Sequence, residues 1–430
     1  MRTAALLLCL TLTTSIAAED VRSVSRAAVE AYQAKDWKAY LTSAKKLDVL
    51  RPNHPRVLYN LAGAYALNGD AGAALSTIAR VAAMGLVYPA ATDEDFASLR
   101  DDDRYTSVLA TFEKNGRETG NASPAFTIDE VRGAIPEGVA RDPKSGTAWV
   151  GLVRDPAILQ IGADGKASRL EIPEPLWSVT GLVFNAASGT LWFCTAATEM
   201  MRVKDDEAAG NSSVLAWNVA ESKLVGRWDL TAGDAPHWLG DLTLTPDGTV
   251  YATDSRTPAI YRIRKGAETI ERWLTSDAFV SLQGLTWNED ARRLYVADYV
   301  RGIFSIDTTS GAVSLLSTPA DATVLGIDGL YHHEGNLIGI QNGTNPHRII
   351  RIHLDDAGGT IERVETLEAN RPLFDEPTLG VVQNGWFWFV ATSQWGAFTD
   401  DGQLKEGAEE KPVVVMKRKL EDRSAGCGVR

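Results

Sequence analysis

Apolar and polar positions along the chain fall into two regimes. From Val21 to about Gly116, apolar residues recur three and four apart, at Ala28, Tyr32, Tyr40, Ala44, Leu47 and Leu50, then at Leu58, Leu61, Ala62, Tyr65, Ala74, Ile78 and Val81. That spacing places them on one face of a helix, and Pro52 punctuates the first pair. From Phe126 to Lys419 the apolar runs shorten to four or five residues rich in β-branched and aromatic side chains, which predicts strands. Such runs include Leu191-Trp192-Phe193-Cys194, Val250-Tyr251-Ala252-Thr253, Leu294-Tyr295-Val296-Ala297 and Leu337-Ile338-Gly339-Ile340.

Ahead of each of these runs stands a recurring phrase: a small or polar residue, Gly or its substitute, then Val or Leu. The six copies are Glu137-Gly138-Val139, Thr180-Gly181-Leu182, Gly240-Asp241-Leu242, Gln283-Gly284-Leu285, Asp328-Gly329-Leu330 and Pro377-Thr378-Leu379. They lie roughly 43 to 60 residues apart, a period that suits four-stranded propeller blades. Six copies predict six blades. Closure requires the first and last strands to meet, which pairs Phe126-Thr127-Ile128 with the run Pro412 to Met416.

The fold expected is therefore multidomain, α then β: helical repeats followed by a six-bladed β-propeller. Boundaries fall at 1–18 for a signal peptide, 19–118 for the helical domain, 119–125 for a linker, 126–419 for the propeller and 420–430 for a polar tail. The helical spacings resemble those of tetratricopeptide repeats, with Tyr32 and Tyr65 about one repeat apart. Two such repeats need a cap, which the Asp93 to Arg100 phrase and the helix after it would supply. The module reads either as a groove for a protein partner or as a docking element that covers one propeller face.

Charge and address narrow the partners. A formal net charge of −13, with no Lys/Arg cluster, argues against nucleic acid. Met1-Arg2, the apolar run Ala4 to Leu12 and the small residues before Glu19 form a cleavable secretory signal, so a secreted or periplasmic protein is expected. That run is too short to cross a bilayer and nothing later spans one. Of three cysteines Cys9 leaves with the signal, so no disulfide framework exists. Cys194 reads as buried filler, with a bond to Cys427 as the alternative.

In a propeller the residue that opens each repeat borders the central channel. Glu137, Thr180, Asp241, Gln283, Asp328 and either Glu376 or Thr378 would then converge on one mouth. Hard oxygen donors drawn from separate blades suit Ca²⁺ first, with Zn²⁺, Mn²⁺ or Mg²⁺ as alternatives. Crowded carboxylates without a cation would repel one another and take up protons. His237, Asn342 and His347 sit on loops deep enough to touch a substrate, although a lone loop histidine is more often a surface hydrogen-bonder. Asp254 and Asp298, after their second strands, read as turn formers. The aromatic run Trp386 to Phe389 with Trp395 and Phe398 reads as half inter-blade core and half substrate mouth. No Gly-x-Ser-x-Gly elbow, phosphate loop, dinucleotide fingerprint or Cys-x-x-Cys pair is present.

The phrases Ile135-Pro136-Glu137-Gly138-Val139, Leu244 to Ser255 and Gly326-Ile327-Asp328-Gly329-Leu330 resemble the SMP-30/gluconolactonase/LRE-like six-bladed propellers, over about two thirds of the chain. Strictosidine-synthase-like propellers and paraoxonase-type lactonases stand close to that group. The resemblance implies one divalent metal, often calcium, held by a Glu of the first blade, an Asn of a middle blade and an Asp of a later one. Glu137 and Asp328 match the two carboxylates. Gln283 stands where the family has Asn, one methylene longer, so ligation there is direct, through water, or lost. In lactonase members the metal polarises the ester carbonyl and the Asp helps activate water, which casts Asp328 as ligand and general base. The expected function is metal-dependent hydrolysis of a small lactone or ester. The alternative is a non-catalytic propeller that binds a ligand or protein, with the helical repeats docking a partner; a purely structural envelope scaffold leaves the acidic ring unexplained.

Overall fold

The structure, a computed structural model, describes residues 21–288 and 292–421. The expected signal peptide, the end of the tail and Cys427 lie outside the described residues. The described chain divides into two compact units, residues 21–79 with 90–106, and residues 80–89 with 107–421.

The first unit is helical. Helices α1 (Val21–Gln33), α2 (Trp37–Leu50) and α3 (Pro55–Leu67) lie wholly within it, and α4 (Ala71–Ala83) begins there. Local chemistry sets the starts: Asp36 caps α2 by accepting from the Ala39 amide at 3.0 Å, and Pro55 opens α3 where its missing N–H costs nothing. Ala28, Tyr40, Ala44, Leu61 and Ala64 form the core. Small residues on facing stripes let these helices approach closely. Tyr32 belongs to the expected packing stripe yet is 41% exposed, because its ring lies edge-on to Trp37 and Tyr40 while its hydroxyl reaches Asp95 at 2.8 Å.

The second unit is a six-bladed propeller. Blade 1 comprises Pro136–Arg141, Ala148–Leu152, Ala157–Ile161 and Ala167–Arg169. Blade 2 comprises Ser178–Asn185, Thr190–Ala196, Ser212–Asn218 and Lys223–Leu230. Blades 3, 4 and 5 start at Leu239–Leu244, Leu282–Asn288 and Ile327–His333, each followed by three antiparallel strands. Blade 6 joins both ends of the propeller: Gly380–Gln383, Trp386–Val390 and Val413–Lys419 are completed by Ser123–Ile128 as the outermost strand. The closing register is Phe126 opposite Val415, Thr127 opposite Val414 and Ile128 opposite Val413. Closure buries Ile128, Val390, Val413 and Val415 against Val139, Val150 and Leu159 of blade 1, so the ring has no seam without a core.

Residues 80–89 and 107–119 belong to this unit through specific bonds. The Val87 amide donates to the Asn345 carbonyl at 2.8 Å, Arg348 donates to the Met84 carbonyl at 2.7 Å, and the Asn370 side chain donates to the Asn115 carbonyl at 2.8 Å. Arg348 is fully buried, and burial pushes its guanidinium down to about 10.

The recurring phrase now has a structural meaning. In blades 1 to 5 the pairing of the innermost strand with its neighbour shifts register across the phrase, between Pro136 and Val139, Val179 and Leu182, Leu239 and Asp241, Leu282 and Leu285, and Ile327 and Leu330. Such a bulge frees a residue from the ladder and re-aims it, here toward the axis. In four of these blades glycine follows, because the next blade lies too close for a side chain; blade 3 carries Asp241 there. A Cβ on Gly138 would sit 2.5 Å from the Thr180 carbonyl oxygen, and one on Gly284 would sit 2.5 Å from the Asp328 carbonyl oxygen.

Candidate functional site

The innermost strands deliver their opening residues to a cavity of about 390 Å³ at one end of the axis. Glu137, Asp241, Gln283, Asp328, Asn342 and Glu376 line it, together with Trp238, Arg256, Tyr299, Leu379 and Trp395. Among the described residues, four carboxylates therefore share a cavity whose lining holds a single guanidinium. Arg256 is itself engaged, with its guanidinium 5.3 Å from the Trp238 ring centre and 3.5 Å from Glu199.

Each carboxylate is held differently. Glu137 Oε2 accepts from the Trp395 indole at 3.0 Å. Asp328 Oδ2 accepts from the Asn342 amide at 2.7 Å, and the Asn342 carbonyl in turn accepts from the Tyr299 hydroxyl at 2.9 Å. Asp241 occupies the glycine position of its phrase and turns its Oδ1 back onto the Leu242 amide at 2.8 Å. Glu376 accepts from the Gly396 amide at 2.9 Å and has a left-handed backbone, φ 60°, which costs energy in a residue other than glycine. Gln283 donates to Ser281 at 3.2 Å, so its amide oxygen is the atom left for a ligand.

Burial dominates the electrostatics. It raises Glu137 well above the usual carboxylate range, with Asp328, Glu376 and Asp241 adding repulsion against the Trp395 bond. Asp328 rises to about 6, by burial first and by Glu376 next, against the opposing Asn342 bond. Asp241 rises to about 7, again through burial, although the amides of Leu242 and Leu285 work the other way. These acids are held together without the counter-charge that would keep them ionised.

Several expected residues lie elsewhere. Thr180 is 1% exposed and outside the lining; its hydroxyl donates to the Leu239 carbonyl of the next blade at 2.8 Å. Thr253 does the same to Gln283 and Thr378 to Glu137, both at 2.7 Å, so these hydroxyls staple blade to blade. His237 also lies outside the lining, its Nδ1 2.7 Å from Asp254 Oδ2, and His347 is half-buried away from the cavity. Asp254 and Asp298 are fully buried turn braces: Asp254 Oδ1 accepts from Trp238, Arg256 and Thr257 amides, and Asp298 accepts from Val280, Ser281, Val300 and Arg301 amides. Of the aromatic run, Phe387 and Phe389 are core, whereas Trp395 reaches the cavity. Cys194 is a buried thiol that burial pushes well up, which makes it inert.

Sequence reasoning did not single out Tyr299, Ser255 or Arg256 as lining residues. A signal for them existed. Each sits one or two residues beyond the buried end of a second strand, Asp254 or Asp298, and Asn342 follows Gln341 in the same way.

In donor type, though not in the spacing of its acids, the lining suits a hard divalent ion. The lining offers carboxylate and amide oxygens, its acids are starved of positive charge, and hard cations take six to eight oxygens including water. Among the described residues no group of three or more His, Cys, Asp or Glu is gathered closely enough to hold a metal ion, so Gln283 and water would have to complete a shell built on Glu137 and Asp328.

No protein-family model matches the chain, and no curated protein matches it by sequence. Solved structures align with part of the chain at low identity. A streptogramin B lyase is 17% identical, covers 70% of this chain and 98% of its own, with a TM-score of 0.48. A gluconolactonase from Xanthomonas campestris is 15% identical over 70% of this chain and 98% of its own, TM-score 0.44. A calcium-binding regucalcin from Agrobacterium tumefaciens is 14% identical over 68% and 93%, TM-score 0.46.

Proposed function

We propose that the axial cavity is a divalent-metal site, Ca²⁺ first, of a hydrolase acting on a small lactone or ester. The observation that carries this reading is the gathering of Glu137, Asp241, Asp328 and Glu376 in one lining with a single, already engaged guanidinium. Glu137, Gln283 and Asp328 would hold the ion, in agreement with the motif resemblance. When bound, it would polarise the carbonyl of the substrate. Asn342 engages Asp328 Oδ2, which leaves Oδ1 to accept a proton from a water molecule. Burial raises Asp328 to about 6 in the metal-free site, and a bound ion would favour its carboxylate form, the one that accepts a proton. Trp238 and Trp395, with ring centres 6.2 Å apart, and Leu379 give the mouth an apolar wall on which a ring could lie.

The rest of the reading concerns delivery and docking. Residues 1–18 would direct export, and the chain from 19 to 118 would act as a tetratricopeptide-like docking module for a protein partner ahead of the propeller at 126–419. A ligand-binding propeller without chemistry is the second reading, favoured by the bond of Gln283 to Ser281 and by the lack of a third His, Cys, Asp or Glu ligand among the described residues. Turnover separates the two. Chelated protein reloaded with Ca²⁺ should hydrolyse members of a lactone and aryl-ester panel in a pH-stat assay, and Asp328→Asn should abolish it; a panel without turnover favours the binding module.

A further inference from the structure

We infer that a second site, at the end of the propeller opposite the axial cavity and between blades 3 and 4, binds a sugar-sized molecule bearing a phosphate or carboxylate. Innermost strands start at the axial cavity, so their far ends lie at the other end. There Thr245, just past the inner strand of blade 3, and Trp287, next to last in that of blade 4, line a cleft of about 690 Å³. That volume is in the range of small-molecule sites.

Charge gives the cleft its specificity. Among the described residues of its lining, three guanidiniums, Arg262, Arg264 and Arg292, face one carboxylate, Asp247, in a chain of net charge −13. Asp247 is braced within its own turn, its Oδ1 accepting from the Thr245 hydroxyl at 2.5 Å and the Thr249 amide at 3.0 Å, and these bonds keep it ionised, a single negative charge against the three guanidiniums. Just outside the lining, the Glu271 carboxylate accepts from Arg262 Nε at 2.5 Å and Arg264 Nε at 3.2 Å through the same oxygen. One carboxylate thus anchors two guanidiniums by their inner nitrogens; Arg262 bonds the Tyr251 side chain as well, so Arg264 and Arg292 supply the edges for another acceptor. Arg262 is held further by its approach to the Trp273 ring, 5.2 Å from its centre. Arg264 keeps 65% of its side chain exposed.

Guanidinium edges match the paired oxygens of phosphate and carboxylate, and ordering them beforehand reduces the cost of binding. Trp287 and Tyr251 add flat apolar surface beside the charges. A ring carrying an oxyanion satisfies both features; a neutral ring satisfies one.

The test is calorimetric titration of the full mature chain with glucose 6-phosphate, glucuronate, inorganic phosphate and uncharged glucose. Saturable binding of at least one anionic sugar is expected, stronger than glucose by about tenfold or more and weakened as salt rises. Whether the phosphate or the carboxylate sugar binds more tightly identifies the oxyanion. Affinity should fall by about tenfold or more in Arg264→Gln/Arg292→Gln and persist in Asp328→Asn, which would separate this site from the axial cavity. The single Arg264→Gln change, on an exposed side chain, checks that any loss is not unfolding, with the thermal midpoint unchanged. No saturable heat up to about 10 mM, equal binding of glucose, or full affinity in the double variant would overturn the inference.

Discussion

Replacing Gly284 by alanine adds one methyl group where blade 4 meets blade 5 at the axis. A Cβ there would lie 2.5 Å from both the Asp328 carbonyl oxygen and the Leu330 amide nitrogen, and 2.9 Å from the Gly329 carbonyl carbon. These are backbone atoms of the neighbouring inner strand, so no side chain can swing aside to relieve the contact. Accommodating the methyl means moving one strand by nearly an ångström, roughly the gap between 2.5 Å and ordinary contact. Overpacking of this kind costs about 1–3 kcal/mol, and the rigid partner puts Gly284→Ala toward the upper end. At about 2.1 cal/mol/K per residue over roughly 300 residues, that lowers the melting midpoint by roughly 3–5 °C. Because the strand that moves carries Asp328, ion affinity should fall as well. Calorimetric melting of Gly284→Ala beside Gly359→Ala, whose Cβ meets nothing within 4 Å, isolates the effect from the generic consequences of losing a glycine. If both variants melt with the wild type, the close approach of blades is not what the repeated glycine serves.

Closure makes a second prediction. Ending the chain at residue 410 deletes Val413–Lys419, strips Ser123–Ile128 of its partner and should abolish cooperative unfolding, read by circular dichroism against temperature. The buried acids make a third. Asp328 at about 6 and Asp241 at about 7 lie above the ordinary aspartate value of 3.8, so the folded state binds protons that the unfolded state has released. Their contribution is fully present below about pH 4 and is lost as pH rises through 6 to 7, an effect on the order of a few kcal/mol in metal-free protein. Saturating Ca²⁺ should flatten that decline, and Ca²⁺ affinity should rise over the same interval; a metal-free melting midpoint that climbs from pH 4 to 7 would contradict it. Finally, Asn342→Leu removes the bridge between Tyr299 and Asp328. It should shift the acidic limb of the pH–rate profile upward and reduce kcat by more than about tenfold, whereas an unchanged profile would remove Asn342 from the positioning of Asp328.

How much of this was legible in the sequence depends on whether a property is periodic. The six phrases and the Phe126 to Ile128 partner of Val413 to Val415 could be read because a blade repeats and a ring must close. The phrase alone did not separate ring residues from staples. Thr180 and Asp328 open equivalent strands, yet one hydroxyl bonds a carbonyl of the next blade while the other side chain faces the cavity. That difference comes from side-chain length and from the neighbouring blade, which lies some 60 residues away. His237 looked available because no sequence pattern announces its pairing with Asp254. The hold of Arg348 on Met84 and Gly85 was invisible for the same reason: contacts between distant segments leave no local pattern.

The most direct measurement of the central claim is calorimetric titration of chelator-treated protein with Ca²⁺, in the wild type and in Glu137→Gln and Asp328→Asn. Saturable one-to-one binding that releases protons, weakened at least about tenfold by either substitution, is the predicted result. Absence of binding by Ca²⁺, Mn²⁺ and Zn²⁺ alike, or binding untouched by both substitutions, would contradict the assignment of the axial cavity as a metal site.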